Sequence, residues 1–316
     1  MIFFILIYLR LVVLAGGTGS VKLVRGLAAL EKDMTVICNV GDNIWINGLY
    51  VCPDIDTIIY GLANLLDEKR GWGIKADSFQ CLDQLNKIGA TSWFRLGDRD
   101  LSTHLLRTSM IKSGKTLSDI TNFFRDRYSV GARIFPATDE ELTTRIVTDR
   151  MGELHLQEFW VKYRGRPKVT AVRYEHHDSI AANSSLIDEI DKSELIVIAP
   201  ANPVSSIGPI VSLVDIRRGL VRNRDKVIAI SPLIKGKAIS GPAIKYMRAL
   251  SLERSSVGVA KYYVDFVSKF LISNEDHALG RQIGALGMRV YQTNTTMKNK
   301  RDEVRLARYI LKLVEK

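Results

Sequence analysis

Cysteine, proline and histidine are scarce: 3, 8 and 5 among 316 residues. Cys38, Cys52 and Cys81 are odd in number and form no C-x-x-C pair, which argues against a disulfide framework or a thiolate metal site and for a reducing, cytoplasmic setting. Cys38 falls inside a strand pattern and reads as core. Runs of like charge are also missing, although 45 basic against 34 acidic residues leave a net charge of +11. An excess spread this way argues against nucleic acid as a partner and for steering of a polyanionic small molecule. The opening MIFFILIYLR is too short to span a bilayer, and it lacks the leading basic residue and cleavage site of a signal sequence. It reads as an extension of the first strand or as an upstream start, and no membrane partner is expected. Two nucleotide-binding signatures are absent as well: Lys22 stands where a dinucleotide fingerprint needs its last glycine, and no Walker A loop occurs.

What is present is organised around Leu11 to Ser20, LVVLAGGTGS. A strand-forming run ends abruptly in Gly16, Gly17, Thr18 and Gly19, and Leu23, Leu27 and Leu30 follow at helical spacing. Strand, tight turn and helix in this order place free backbone N–H groups where a phosphate oxygen can sit. A second apolar strand, Met34–Asn39, runs directly into Val40, Gly41, Asp42 and Asn43. Polar residues in that position lie at the carboxyl end of a strand, where open α/β sheets bind ligands. In YVCPDIDTII, Pro53 closes an extended segment while Asp54, Asp56 and Thr57 open a helix. Singly, either aspartate reads as a helix cap; together with Asp42 they suggest hard oxygen ligands for magnesium.

Farther along, Thr91, Ser92 and Trp93 precede a polar turn and offer a stacking ring with two hydroxyls. Residues 100–128 read as helical, with His104 and Arg107 on one face and no metal partner beside them. From Pro136 to His177 the period changes to two, which predicts a small β-rich insert over 136–178 that caps the site or makes a dimer contact. Buried strands return at Glu194–Ala199 and Val227–Ser231. The first ends in PANPVSSIGPI, whose Asn202, Ser205 and Ser206 form a rigid polar loop. The second leads to Lys235, Lys237 and a Ser240-Gly241-Pro242 turn, again suited to phosphate. Arg289–Gln292 reads as a last strand, and a closing amphipathic helix with Val304, Ala307, Leu311 and Val314 on one face is expected to pack on the sheet. The expected fold is α/β and Rossmann-like: a mostly parallel sheet flanked by helices, with a nucleotide-binding core formed by 1–135 and 179–316.

The ordered set GGTGS, NVGDN, YVCPDIDT, WFRLGDRD, LQEFWV, APANPVSSIGPI and SPLIKGKAISGPA resembles the 2-phospho-L-lactate transferase family of coenzyme F-420 biosynthesis, from Leu11 to about Thr296. The resemblance implies a Rossmann-like core with an inserted region, magnesium (Mg2+) dependence and a guanosine-containing donor. In that family a lactyl diphosphoguanosine gives its phospholactyl group to the terminal ribityl hydroxyl of the deazaflavin precursor Fo, and GMP leaves. Carried onto this chain, the nucleotide loop falls on Gly17, Thr18 and Gly19, a second phosphate and nucleoside surface on Asn202, Ser205 and Ser206, and the metal and acid cluster on Asp42, Asp54 and Asp56. Two positions depart from the pattern. Asn43 stands where many relatives have a second aspartate, and Lys235 stands where a glycine is common.

The chemistry expected from these residues is phosphoryl-type transfer by positioning and charge neutralisation. Magnesium on Asp42 and Asp54 would bridge diphosphate oxygens, and Asp56, or Asp54 with a different ligand pair, would take the proton of the attacking hydroxyl. The three-carbon acid carried by the donor stays open between lactate, phosphoenolpyruvate and another such acid. A homodimer is expected. The alternative is a non-catalytic nucleotide-sugar-binding regulator of the gluconeogenesis-factor type, which would have no deazaflavin site. A nicotinamide dehydrogenase is disfavoured by the missing third glycine and by Asp42 lying beyond an extra glycine turn.

Overall fold

The computed structural model describes residues 9–90, 93–239 and 241–314. In chain order the first strands are Leu11–Ala15 (β1), Met34–Cys38 (β2), Ile44–Ile46 (β3), Leu49–Val51 (β4) and Arg133–Pro136 (β5). Thr143–Thr148 (β6), Gly152–His155 (β7) and Val169–Glu175 (β8) follow. Leu195–Ile198 (β9), Val227–Ile230 (β10), Leu233–Ile234 (β11), Lys237–Ala238 (β12), Lys269–Ser273 (β13) and Arg289–Thr293 (β14) complete the set.

Seven of these form one sheet in the order β14-β13-β10-β9-β1-β2-β5, and every pairing in it is parallel. Continuous apolar runs such as LVVLA and LIVI suit this arrangement, because helices cover a parallel sheet on both faces and its central strands are shut off from water. All residues of β1, β2, β9 and β10 are buried. The fold is the expected α/β class. Two elements escape the sequence pattern: the short edge strand β5, RIFP, and the β3–β4 hairpin, whose register pairs Ile44 with Val51 and Trp45 with Tyr50.

Strands β6, β7 and β8 make a separate antiparallel sheet in the order β7-β6-β8, as the two-residue period predicts. This sheet shares the central core: Leu142, Ile146, Leu156 and Phe159 belong to the same buried apolar cluster as β1 and β9. The closing helix, Lys300–Leu311, packs on the helix Gly17–Ala28 rather than directly on the sheet. Its buried face is Glu303, Leu306, Ala307 and Ile310, rotated by one position from the expected stripe. The rotation follows from a buried ion pair, since Arg25 Nη2 and Nε hold the Glu303 carboxylate at 2.5 and 3.0 Å.

Candidate active site

The chain leaves β1 toward β2 and β5, then returns to lay β9 on the other side of β1 and proceeds outward through β10, β13 and β14. The order of strand addition therefore reverses between β1 and β9, and loops leaving the two parallel strands diverge to open a crevice at their carboxyl ends. A cleft of about 480 Å³ occupies this place, lined by Gly16, Gly17, Thr18 and Gly19 from one loop and Asn202, Ser205 and Ser206 from the other. Glycine is required at position 16, where a Cβ would stand 2.8 Å from Asp54 Oδ2 and 2.9 Å from the Cβ atoms of Asn39 and Ser206. Gly17 adopts φ +66° at the first turn of the helix, a left-handed conformation that a side chain would strain. That helix has no side-chain cap and no acidic residue in its first turn, so the partial positive charge of its leading amides is turned to the cleft, where the Gly17 amide meets Asp54.

Asp42 and Asp54 meet across the cleft through Asn39, at the end of β2. Asn39 Nδ2 donates to Asp42 Oδ1 at 2.6 Å, to Asp54 Oδ2 at 2.9 Å and to the Ser205 carbonyl at 3.3 Å, while its Oδ1 accepts from the Gly41 amide at 2.8 Å. Gln157, from the insert, donates to Asp42 Oδ2 at 3.2 Å. Burial raises both acids. Asp42, with Asp54 adding repulsion, lies well above the usual carboxylate range, and Asp54 is pushed up to about 6, with Asn39 and the Gly17 amide opposing the shift. Two buried carboxyls this close cannot both ionise without a compensating positive charge.

Asp56 also lines the cleft, but it does not join the pair. Both its oxygens are held by Arg107, Nη1 at 3.0 Å and Nη2 in a shorter contact, and the guanidinium is fully buried over the Phe124 ring. Arg107 Nη1 also donates to His104 Nδ1 at 3.1 Å. Asp56 is thus spent on an internal ion pair that ties the start of the helix Pro53–Leu62 to the helix Asp98–Lys112. The expected convergence of three aspartates is accordingly reduced to two. Among the described residues no group of three His, Cys, Asp or Glu side chains is placed to hold a metal ion. The remaining pair of hard oxygens, already straddling a positive dipole at Asn39, suits magnesium, which takes one or two carboxylates and keeps other positions for water and phosphate.

The other expected residues divide. Trp93 lines the cleft with Trp72, Phe94 and Trp160, and Trp93 and Phe94 meet edge to face at 5.6 Å. Thr91 and Ser92 lie outside the described residues. Asn202 is oriented by its own loop, since its Oδ1 accepts from the Val204 and Ser205 amides at 3.0 and 3.2 Å. Lys237 does not reach the cleft; it is exposed on the two-residue strand β12. Lys235 likewise points outward, paired with Glu275 at 2.9 Å. Asn43 turns from Asp42 to Tyr50, 3.3 Å away, and faces a neighbouring groove of about 430 Å³. Asn39, Gln157 and Tyr246 are the cleft and supporting residues that sequence reading misses, and the role of Arg107, there only placed on a helix face with His104, comes from the structure. Only Asn39 carried a signal, as a polar residue ending a buried strand.

Comparison with known proteins agrees with the geometry. Residues 11–307 match the family model described as 2-phospho-L-lactate transferase CofD. A relative in Methanopyrus kandleri named 2-phospho-L-lactate transferase is 39% identical, the match covering 97% of this chain and 98% of the relative. Relatives of the same name in Methanocaldococcus jannaschii and Methanosarcina mazei are 36% and 35% identical, covering 95% of this chain and 96% and 99% of theirs. In shape the chain is similar to a crystal structure of a Bacillus halodurans protein, with TM-score 0.65, 15% identity and coverage of 96% and 99%, a likeness of fold alone. Matched by the family model over residues 11–307 and by these relatives over nearly its whole length, this chain belongs to the 2-phospho-L-lactate transferase family.

Proposed function

We propose that the protein transfers the phospholactyl group of lactyl-2-diphospho-5'-guanosine to the terminal ribityl hydroxyl of Fo, releasing GMP, as a step of coenzyme F-420 formation. The observation that carries this reading is the Asp42–Asn39–Asp54 bridge beside the uncapped amides of the Gly16–Gly19 loop. Negative charge on a diphosphate would be received by those amides and by Asn202, Ser205 and Ser206. Asp42 with Asp54 would hold a magnesium ion, which when bound would offset charge developing on the diphosphate oxygens. The Trp93 and Phe94 wall offers the flat deazaflavin ring a stacking surface.

Proton acceptance from the attacking hydroxyl would fall to an oxygen of Asp54 that the metal leaves free, because both oxygens of Asp56 are engaged by Arg107. The Asp54 carboxyl is raised to about 6 in the metal-free site, and bound magnesium would lower it, so as a proton acceptor it would act by position more than by basicity. Alignment of donor and acceptor in the cleft contributes more of the barrier reduction than this proton transfer does. The test is direct: protein with Fo, magnesium and the lactyl donor, followed for GMP release and for the phospholactylated product. Absence of product with any three-carbon donor overturns the proposal.

A further inference from the structure

Tyr246 lies on the helix Ala243–Ala249, directly after the cleft-lining Gly241 and Pro242, and its side chain lines the cleft. It is fully buried, and its hydroxyl has no hydrogen-bond partner among the described residues. A buried hydroxyl is normally paired, because leaving it unpaired forfeits its hydration without return. The ring cannot swing away to find a partner. Phe159 of the insert packs on it at 5.9 Å, and Lys245, one residue earlier, fastens the same helix to the Gly165 carbonyl. The phenol also stays protonated: burial, and then the charge of Asp42, push it far above the ordinary tyrosine range. Tyr246 therefore holds an unpaired O–H donor in the wall of the cleft that Asp42 and the glycine loop also line.

We infer that Tyr246 donates a hydrogen bond to an anionic oxygen of the group being transferred and so is a specificity-determining residue of this site. The inference rests on the phospholactyl-transfer reading. The transferred group carries anionic oxygens of two kinds, phosphoryl and carboxylate, and both suit an O–H donor.

Tyr246→Phe removes the hydroxyl and keeps the ring. Because the hydroxyl is unpaired in the free protein, the thermal midpoint should stay the same or rise, whereas a hydroxyl with a structural bond would lower it. Binding of GDP and of lactyl diphosphoguanosine, each with magnesium, is then measured by calorimetry on wild type and variant. A loss of about tenfold to a hundredfold is expected, the scale of a hydrogen bond to a charged acceptor. Loss for both ligands assigns the bond to the phosphoryl oxygen; loss for the lactyl donor alone assigns it to the carboxylate. Affinities within twofold for both overturn the inference, and Asn202→Ala, run in parallel, then still weakens binding if the transfer reading holds. Failure of wild type to bind either ligand overturns that reading and this inference together.

Discussion

Asp54→Asn should lower turnover by at least about a hundredfold, roughly 2.7 kcal/mol of transition-state stabilisation. It keeps the shape of the bridge to Asn39 but removes both the negative charge and the proton acceptor. Steady-state GMP release measures it, and near-normal turnover would take Asp54 out of the chemistry. His155 supplies a second prediction, this time about pH. Its Nδ1 accepts from the Gln157 amide at 3.0 Å and its Nε2 lies 3.0 Å from the Asn43 carbonyl, so the neutral Nε2–H tautomer satisfies both ring nitrogens and a second proton has nowhere to go. Burial accordingly lowers its pKa below 6.5. The unfolded chain then takes up this proton at higher pH than the folded one, so the stability His155 contributes is complete above about 6.5 and is lost as pH falls below it. Asp54 acts in the opposite sense: its folded pKa is raised, so its contribution is present at low pH and fades as pH rises through about 6. Denaturant midpoints of wild type and His155→Gln at pH 7.5 and 5.5 separate the two. The acid-side loss should shrink in the variant, and an unchanged difference would clear His155 of the effect.

Among elements, the helices Gly17–Ala28 and Lys300–Leu311 approach closely. A Cβ at Gly26 would collide with the Glu303 carbonyl, so Gly26→Ala should destabilise the fold by about 1–3 kcal/mol, the usual cost of overpacking. Equilibrium unfolding reads this directly, and activity per folded molecule should change little, because Gly26 is not among the cleft residues. The same helices show what sequence can and cannot convey. Strands β1, β2, β9 and β10 were legible because a parallel sheet buried on both faces demands unbroken apolar runs. Strand β5 was not: four residues ending in proline, set at the sheet edge, carry little periodicity. The closing helix was legible as amphipathic, but its face was misplaced by one residue, because the pattern counts Glu303 as polar while Arg25 makes it buriable. The site divides in the same manner. Asp42 and Asp54 stand out as polar residues at element ends, whereas the removal of Asp56 by Arg107 and the reach of Gln157 to Asp42 join residues 51 and 115 positions apart. Local sequence contains no trace of such meetings.

For the whole molecule, the net charge of +11 bears on how a polyanionic donor arrives. A field of one sign raises the encounter rate and is screened over a Debye length of about 8 Å at physiological ionic strength. Raising potassium chloride should therefore lower kcat/KM for the donor while leaving kcat nearly constant, as measured by initial rates at fixed magnesium. A kcat/KM indifferent to salt would assign the basic excess to solubility alone.

The place of β1 in the middle of the sheet has a consequence for biosynthesis. Its partner on one side, β2, emerges from the ribosome almost at once, but β9 on the other side follows some 180 residues later. At typical elongation rates that interval is on the order of ten seconds or more. Until Leu195–Ile198 arrives, β1 holds an apolar strand edge with nothing to pair it, the kind of edge that recruits other chains. The nascent amino-terminal half thus carries an unpaired apolar edge for that whole interval, and the crevice between β1 and β9 comes into being only when that waiting edge is covered.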